Sequence, residues 1–265
     1  MKTQRPIRQR TRSALLLISF LLFPITMNYL SPYVIIDGAS QGIVNGSLIV
    51  FGLMFLSALF FGRLWCGWVC PAGGLAELCF PINNRPVNRK RIDWIKWLVW
   101  VPWVGIIAAS VVMAGGYSRV DFLLDTQNGI SVAGAPDRPI IIAYIIYYGV
   151  IGLFAATSIF VGRRAGCHSF CWMAPFMILG RKLRNVFAWP SLRLVANAAQ
   201  CSDCKTCTTN CPMSLDVNGM VHAGNMENSE CILCGSCVDN CSKKAIFYSF
   251  SAGKQSAPAV GTVKA

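Results

Sequence analysis

Charge is what this chain has least of. Asp, Glu, Lys and Arg together make up 13% of its 265 residues, against 54% hydrophobic. No ordinary soluble domain is composed that way. Acids are scarcest, 11 against 24 Lys and Arg, and histidine is nearly absent, with only His168 and His222. A membrane cytochrome b holds each haem between paired histidines, so two histidines argue against haem b. No Walker loop, dinucleotide-binding G-x-G-x-x-G or nucleophile elbow stands where it would work, which removes the common nucleotide-dependent and hydrolytic classes.

Long apolar runs are present instead, at roughly 14–36, 47–65, 94–114 and 139–161. Each is close to the ~20 residues that cross a bilayer as helix, and none alternates as a barrel strand would. The expectation is four transmembrane helices. The +13 net charge could suggest nucleic acid, but residues 200–265 carry five Lys and five acids, so the whole excess flanks the apolar runs. It alternates there. The amino-terminal tail (Lys2, Arg5, Arg8, Arg10, Arg12), the 62–93 connection and the segment after 161 are basic, while 37–46 has no Lys or Arg and 115–138 sets two Arg against three Asp. This positive-inside pattern predicts both termini in the cytoplasm of a bacterial or archaeal cell and no nucleic-acid partner. The first run is long and lacks an A-x-A-like cleavage site, so it reads as a retained helix.

The thirteen cysteines carry the chemistry. "CSDCKTCTTNCP" places Cys201, Cys204, Cys207 and Cys211 at C-x2-C-x2-C-x3-C, and "CILCGSCVDNCS" repeats the spacing at Cys231, Cys234, Cys237 and Cys241. In two-cluster bacterial ferredoxins the fourth cysteine of each run ligates the other cluster. The expected ligand sets are therefore Cys201, Cys204, Cys207, Cys241 and Cys231, Cys234, Cys237, Cys211, each for one [4Fe-4S] cluster. Zinc, the alternative for C-x2-C pairs, seldom takes three cysteines at successive x2 spacings twice over. Disulfides do not suit a reducing cytoplasm.

Two further pairs sit at the edges of apolar runs, Cys66 and Cys70 in "FFGRLWCGWVCPAG" and Cys167 and Cys171 in "FVGRRAGCHSFCWMAP". Both show F-x-G-R and C-x3-C, and matching cysteines are 101 positions apart. The membrane part thus reads as two tandem helix hairpins, with both pairs on the cytoplasmic side. On a helix, i and i+4 share a face. Four thiols could then meet as a metal or further iron–sulfur centre, a redox-active dithiol pair, or the wall of a quinone pocket. Buried packing is the plainer alternative. Arg63 and Arg163, close before the pairs, could supply charge to thiolates. Pro71 should end or kink the helix at Cys70. Cys79 is left over and reads as packing.

These features resemble the NapH/NosR-type membrane-bound ferredoxin-type proteins, with a NapH-like layout over nearly the whole chain. The resemblance is most specific in "CGWVCP" and the eight ferredoxin cysteines. It implies an all-α membrane domain (1–195) with an interfacial helix, then an α+β double-cluster ferredoxin-like domain (196–250) and a disordered tail (251–265). It also implies the electron-transfer subunit of a quinol dehydrogenase, serving a redox partner such as a periplasmic ferredoxin or a multihaem cytochrome. A role as an assembly factor that reduces a metal such as copper is the alternative. His168, inside the second thiol motif, reads equally as a proton relay for quinol or as a solvated interface residue. Trp94, Trp97, Trp172 and Trp189 read as an interfacial belt, and residues 176–195 as a helix lying in the interface.

Overall fold

The computed structural model describes residues 6–131 and 140–252. The tail from 253 on, together with Lys2, Arg5 and Arg138, lies outside the described residues.

The chain shuttles four times between two ends. At one end sits the ferredoxin segment, touched by Arg8, Arg63, Trp68, Lys96, Arg163 and Arg181. At the other, Ile43–Asn45 pairs in parallel with Arg119–Asp121, so the two connections poor in Lys and Arg meet there. Among the described residues two passes have the length and apolarity to cross a membrane: Ile95–Met113 and Ile140–Phe160, with mean hydropathy 1.8 and 2.1. Of the residues in these stretches only 11% and 6% are buried, whereas the core helix of a soluble protein would be mostly covered. Leu98, Val101, Ile106, Ile141, Ile145 and Phe160 all face outward.

The other two passes differ from the expectation of four spanning helices. Gly46–Phe61 has 16 residues, about 24 Å at ~1.5 Å per residue, short of a ~30 Å hydrocarbon core. The first apolar run breaks into Ile7–Leu21, Phe23–Thr26, a 3-10 turn at Asn28–Leu30, and Pro32–Ser40. Pro24 and Pro32 are the reason. Each lacks an N–H and starts a new helix at its first turn, where no donor is missed.

The ferredoxin segment opens earlier than residue 196. Strand Ser191–Ala196 pairs antiparallel with Ile246–Ser251, Ser191 opposite Ser251 and Ala196 opposite Ile246, so this unit begins at 191. The expected interfacial helix over 176–195 is also revised. It runs Ala174–Val186 and stops before Ala188, which takes a left-handed φ of 50°, and Pro190. One face is buried in protein: at Gly180 an added Cβ would meet Ala58 Cβ and the Phe55 carbonyl at 2.9 Å each.

Candidate iron–sulfur sites

The two ferredoxin halves are built alike. Positions 30 apart take the left-handed region in pairs: Asp203 and Leu233, Lys205 and Gly235, Ser214 and Lys244. Five of these six are not glycine, and such conformations persist only where the surroundings hold them. The turns start one-turn helices, Thr206–Thr209 and Ser236–Asp239, and wrap each loop about its thiols. Cys201, Cys204, Cys207 and Cys241 line one cavity. Cys211, Cys231, Cys234 and Cys237 line a second, among Met213, Leu215 and Ile232. Burial and neighbouring sulfurs push the Cys211 thiol up to about 12, so a group that binds thiolates is needed to ionise it. Backbone N–H groups of Met213, Leu215 and Ser236 point at Cys211 and Cys234. The donor set and the loop shape fit [4Fe-4S] clusters.

The halves differ in setting. Cys204 is exposed and Cys201 and Cys241 are partly so, while Cys211, Cys231, Cys234 and Cys237 are buried. The carbonyls around the buried set accept from the rest of the chain: Cys231 from Arg181 (2.8 Å), Leu233 from Trp68 (3.2 Å), Cys234 from Gln9 (3.0 Å). Gly67, between Cys66 and Cys70, lies so close to the Ile232 carbonyl that no Cβ fits there.

Cys66, Cys70, Cys167 and Cys171 are all buried and lie within electrostatic reach of one another. Neither pair occupies one helix face, however. Helix Leu64–Trp68 ends before Cys70, which is extended ahead of Pro71, and helix Ala165–Ser169 ends two residues before Cys171. The thiols of each pair straddle a helix end. Trp172 stands where Pro71 follows Cys70, yet the two motifs match at one point: the N–H of Gly73 is directed at Cys70 and that of Ala174 at Cys171. Burial, then the neighbouring thiols, push Cys171 up to about 12, against the pull of Arg63. Cys79 is buried apart from this group.

The charge expected from Arg163 comes from Arg164. Arg163 faces outward to Asn84 and the Thr209 carbonyl. Arg164, three residues before Cys167 as Arg63 is before Cys66, is fully buried and donates to the Cys66 carbonyl (2.8 Å) and to Glu77 (2.6 Å). The extra residue of the second repeat therefore falls before its arginine. Arg12 grips the same Glu77 with two bonds of 2.8 Å. Arg63 and Lys96 both hold Glu230, at 2.7 and 2.6 Å. Burial alone would raise the Glu230 carboxyl, but these two cations hold it down at about 2. A second hub joins Glu227 to Arg181, Arg184 and Arg193.

His168 is not a solvated interface residue. It is fully buried, with Nδ1 2.6 Å from Asp93. Burial lowers its pKa, partly offset by Asp93. Trp172 is not a belt residue either: its Nε1 donates to the Leu30 carbonyl (2.8 Å). It helps to wall an apolar cavity of about 180 Å³, with Phe23, Met27, Leu30 and Phe154. Pro71 and Ala72, which follow Cys70, and Met173, which follows Cys171, complete that wall.

Missed in the sequence were Glu77, Asp93, Lys96, Glu227 and Glu230. One signal was available. Glu77 and Asp93 are the only acids between Asp37 and Asp121, and isolated acids at the edge of apolar runs seldom stand without partners.

Thiol sets of this kind on a ferredoxin-type frame define an iron–sulfur electron-transfer protein. Residues 45–90 match the family model described as a 4Fe-4S binding domain, and 200–246 match a 4Fe-4S dicluster domain. The chain is similar to the ferredoxin-type protein NapH of Haemophilus influenzae, 20% identical over 74% of this chain and 66% of that protein. It is 26% identical to the nitrogen fixation protein FixG of Rhizobium meliloti, over 75% of this chain but 41% of FixG. With the uncharacterized protein MJ0750 of Methanocaldococcus jannaschii it shares 24% identity over 82% of this chain and 84% of that one. The resemblance to ferredoxin-type proteins read from the motifs is borne out by these relatives. No solved structure matches the chain.

Proposed function

We propose that this protein is a multi-pass component of a prokaryotic cytoplasmic membrane that passes electrons between the quinol pool and a redox partner. Its ferredoxin segment would hold two [4Fe-4S] clusters on the crossed sets Cys201, Cys204, Cys207, Cys241 and Cys231, Cys234, Cys237, Cys211. Each cluster carries one electron at a time when bound. The observation that carries the reading is the apolar cavity, whose wall continues from both C-x3-C pairs. Phe23, Leu30, Phe154 and Trp172 suit a quinone ring, and the helix beside it, Ile140–Phe160, bares apolar side chains outward. From there the Cys66–Cys70 loop abuts the buried cysteine set. Cys204 is exposed, and there a partner can dock.

The cavity can be filled. Ala72→Trp in the purified full chain is expected to slow reduction of the ferredoxin clusters by a short-chain quinol at least about tenfold, with iron content unchanged. Steric exclusion of a ring from so small an apolar pocket would give a loss of that order. An unaltered rate would move quinol entry elsewhere.

The charge alternation and the four passes, two of them by broken or short helices, support both termini lying in the cytoplasm. A reporter fused after residue 265 should be active when it needs the cytoplasm and silent when it needs the periplasm. The reverse pattern would overturn the placement of the ferredoxin segment.

A further inference from the structure

We infer that Cys66, Cys70, Cys167 and Cys171 together ligate a third [4Fe-4S] cluster, shared between the two repeats of the membrane part. The inference deepens the electron-transfer reading and rests on it.

The first ground is symmetry. Arg63 acts on Cys66 and on Cys171, and Arg164 acts on Cys167 and on Cys70. Each arginine thus reaches one thiol of its own repeat and one of the other. The N–H groups of Gly73 and Ala174, directed at Cys70 and Cys171, repeat at the same offset of 101, and they belong to the first turns of helices Pro71–Leu78 and Ala174–Val186. N–H groups at a helix start favour negative charge on the atom they face. Four thiols that only packed would need no such donors.

The second ground is unmet charge. Arg63 and Arg164 are both fully buried, yet Arg63 Nε and Nη2 and Arg164 Nε have no hydrogen-bond partner. Around the chamber Arg12, Arg63, Lys96 and Arg164 share two carboxylates, Glu77 and Glu230. Asp93, partly exposed, lies 4.0 Å from Lys96 but is shared with Arg89 and His168, so two cations remain in excess. Buried cations in excess of buried anions are costly, and four neutral thiols do nothing to offset them. A [4Fe-4S]2+ core with four thiolates is a dianion and does.

The third ground is spacing. Zinc with thiolates at ~2.3 Å in a tetrahedron brings its sulfurs to within about 4 Å of each other. Among the described residues the only trio of candidate ligand atoms within 4.8 Å is Asp93, His168 and Glu230, with no cysteine among them. Neither the chamber's thiols nor the ferredoxin's form such a trio. The matched 4Fe-4S binding model ends at residue 90 and so covers only the first pair; Cys167 and Cys171 are what complete four ligands.

The test is a metal count on the full chain, purified in detergent without oxygen after reconstitution with iron and sulfide. Wild type should hold about twelve iron and twelve sulfide per chain, and Cys66→Ser/Cys167→Ser about eight, with one electron paramagnetic resonance signal lost on reduction. Cys79→Ser should match wild type. About eight iron in wild type, with or without one zinc, overturns the third cluster and leaves the ferredoxin assignment standing. About four iron, all lost in the double variant, does the opposite. If the double variant does not accumulate, the wild-type count decides.

Discussion

Glu230→Gln is expected to cost about 3–5 kcal/mol of stability, the range for removing one partner of a buried ion pair. Arg63, at 0% exposure, would be left as a buried cation without a counter-charge, and Lys96, at 1%, with only Asp93 at 4.0 Å, since an amide accepts a hydrogen bond but carries no charge. The damage should concentrate where the ferredoxin segment meets the passes. Protease should cut near residue 190 far faster than in wild type, and the thermal midpoint should fall. The same pair sets a pH window. The folded carboxyl sits at about 2, below the ~4.3 of an unfolded glutamate. Its contribution is therefore complete above about pH 5 and is lost as pH falls towards 2. Wild type should weaken across that window and Glu230→Gln much less so. Equal stability of the two proteins at pH 7 would remove Glu230 as the docking anchor.

Cys241→Ser and Cys211→Ser are each expected to remove about four iron, from opposite halves of the ferredoxin. Cys241 is 40 residues from Cys201 along the chain, yet both line one cavity with Cys204 and Cys207. Cys211 lies with the Cys231 set. The residual spectrum of Cys241→Ser should therefore coincide with that of Cys204→Ser, and that of Cys211→Ser with that of Cys234→Ser. Serine is a small change in volume, so the remaining cluster reports on ligation rather than on collapse. Coincidence of Cys241→Ser with Cys234→Ser would show local rather than crossed ligation. The two losses should also differ in consequence: without the buried cluster, the exposed one is cut off from the passes.

The cysteine pattern was legible because cluster ligation demands fixed spacings that no packing requirement imitates. The repeat of 101 residues was legible for the same reason, and the arginines were nearly so. F-x-G-R aligned Arg63 with Arg163, and only the fold shows that the inserted residue precedes Arg164. Hydropathy located the passes but not their form, since a window average does not register that Pro24 and Pro32 restart the helix. It also assigned residues 176–195 to the interface from mixed basic and apolar character. In the fold, that character serves two protein surfaces, Gly180 against helix Gly46–Phe61 and Arg181 against Glu227. The carboxylate hubs were illegible because Glu230 and Arg63 are 167 positions apart. Nothing local marks either as buried.

Arg8 holds Asp239 across 231 positions, and Gln9 holds the Cys234 carbonyl. The first-made helix is therefore latched by nearly the last-made loop. During synthesis Arg63 and Lys96 emerge long before Glu230, their shared carboxylate. Folding thus has a built-in order: the contacts of Arg8, Gln9, Arg63 and Lys96 close only once the segment from 230 to 239 is in place.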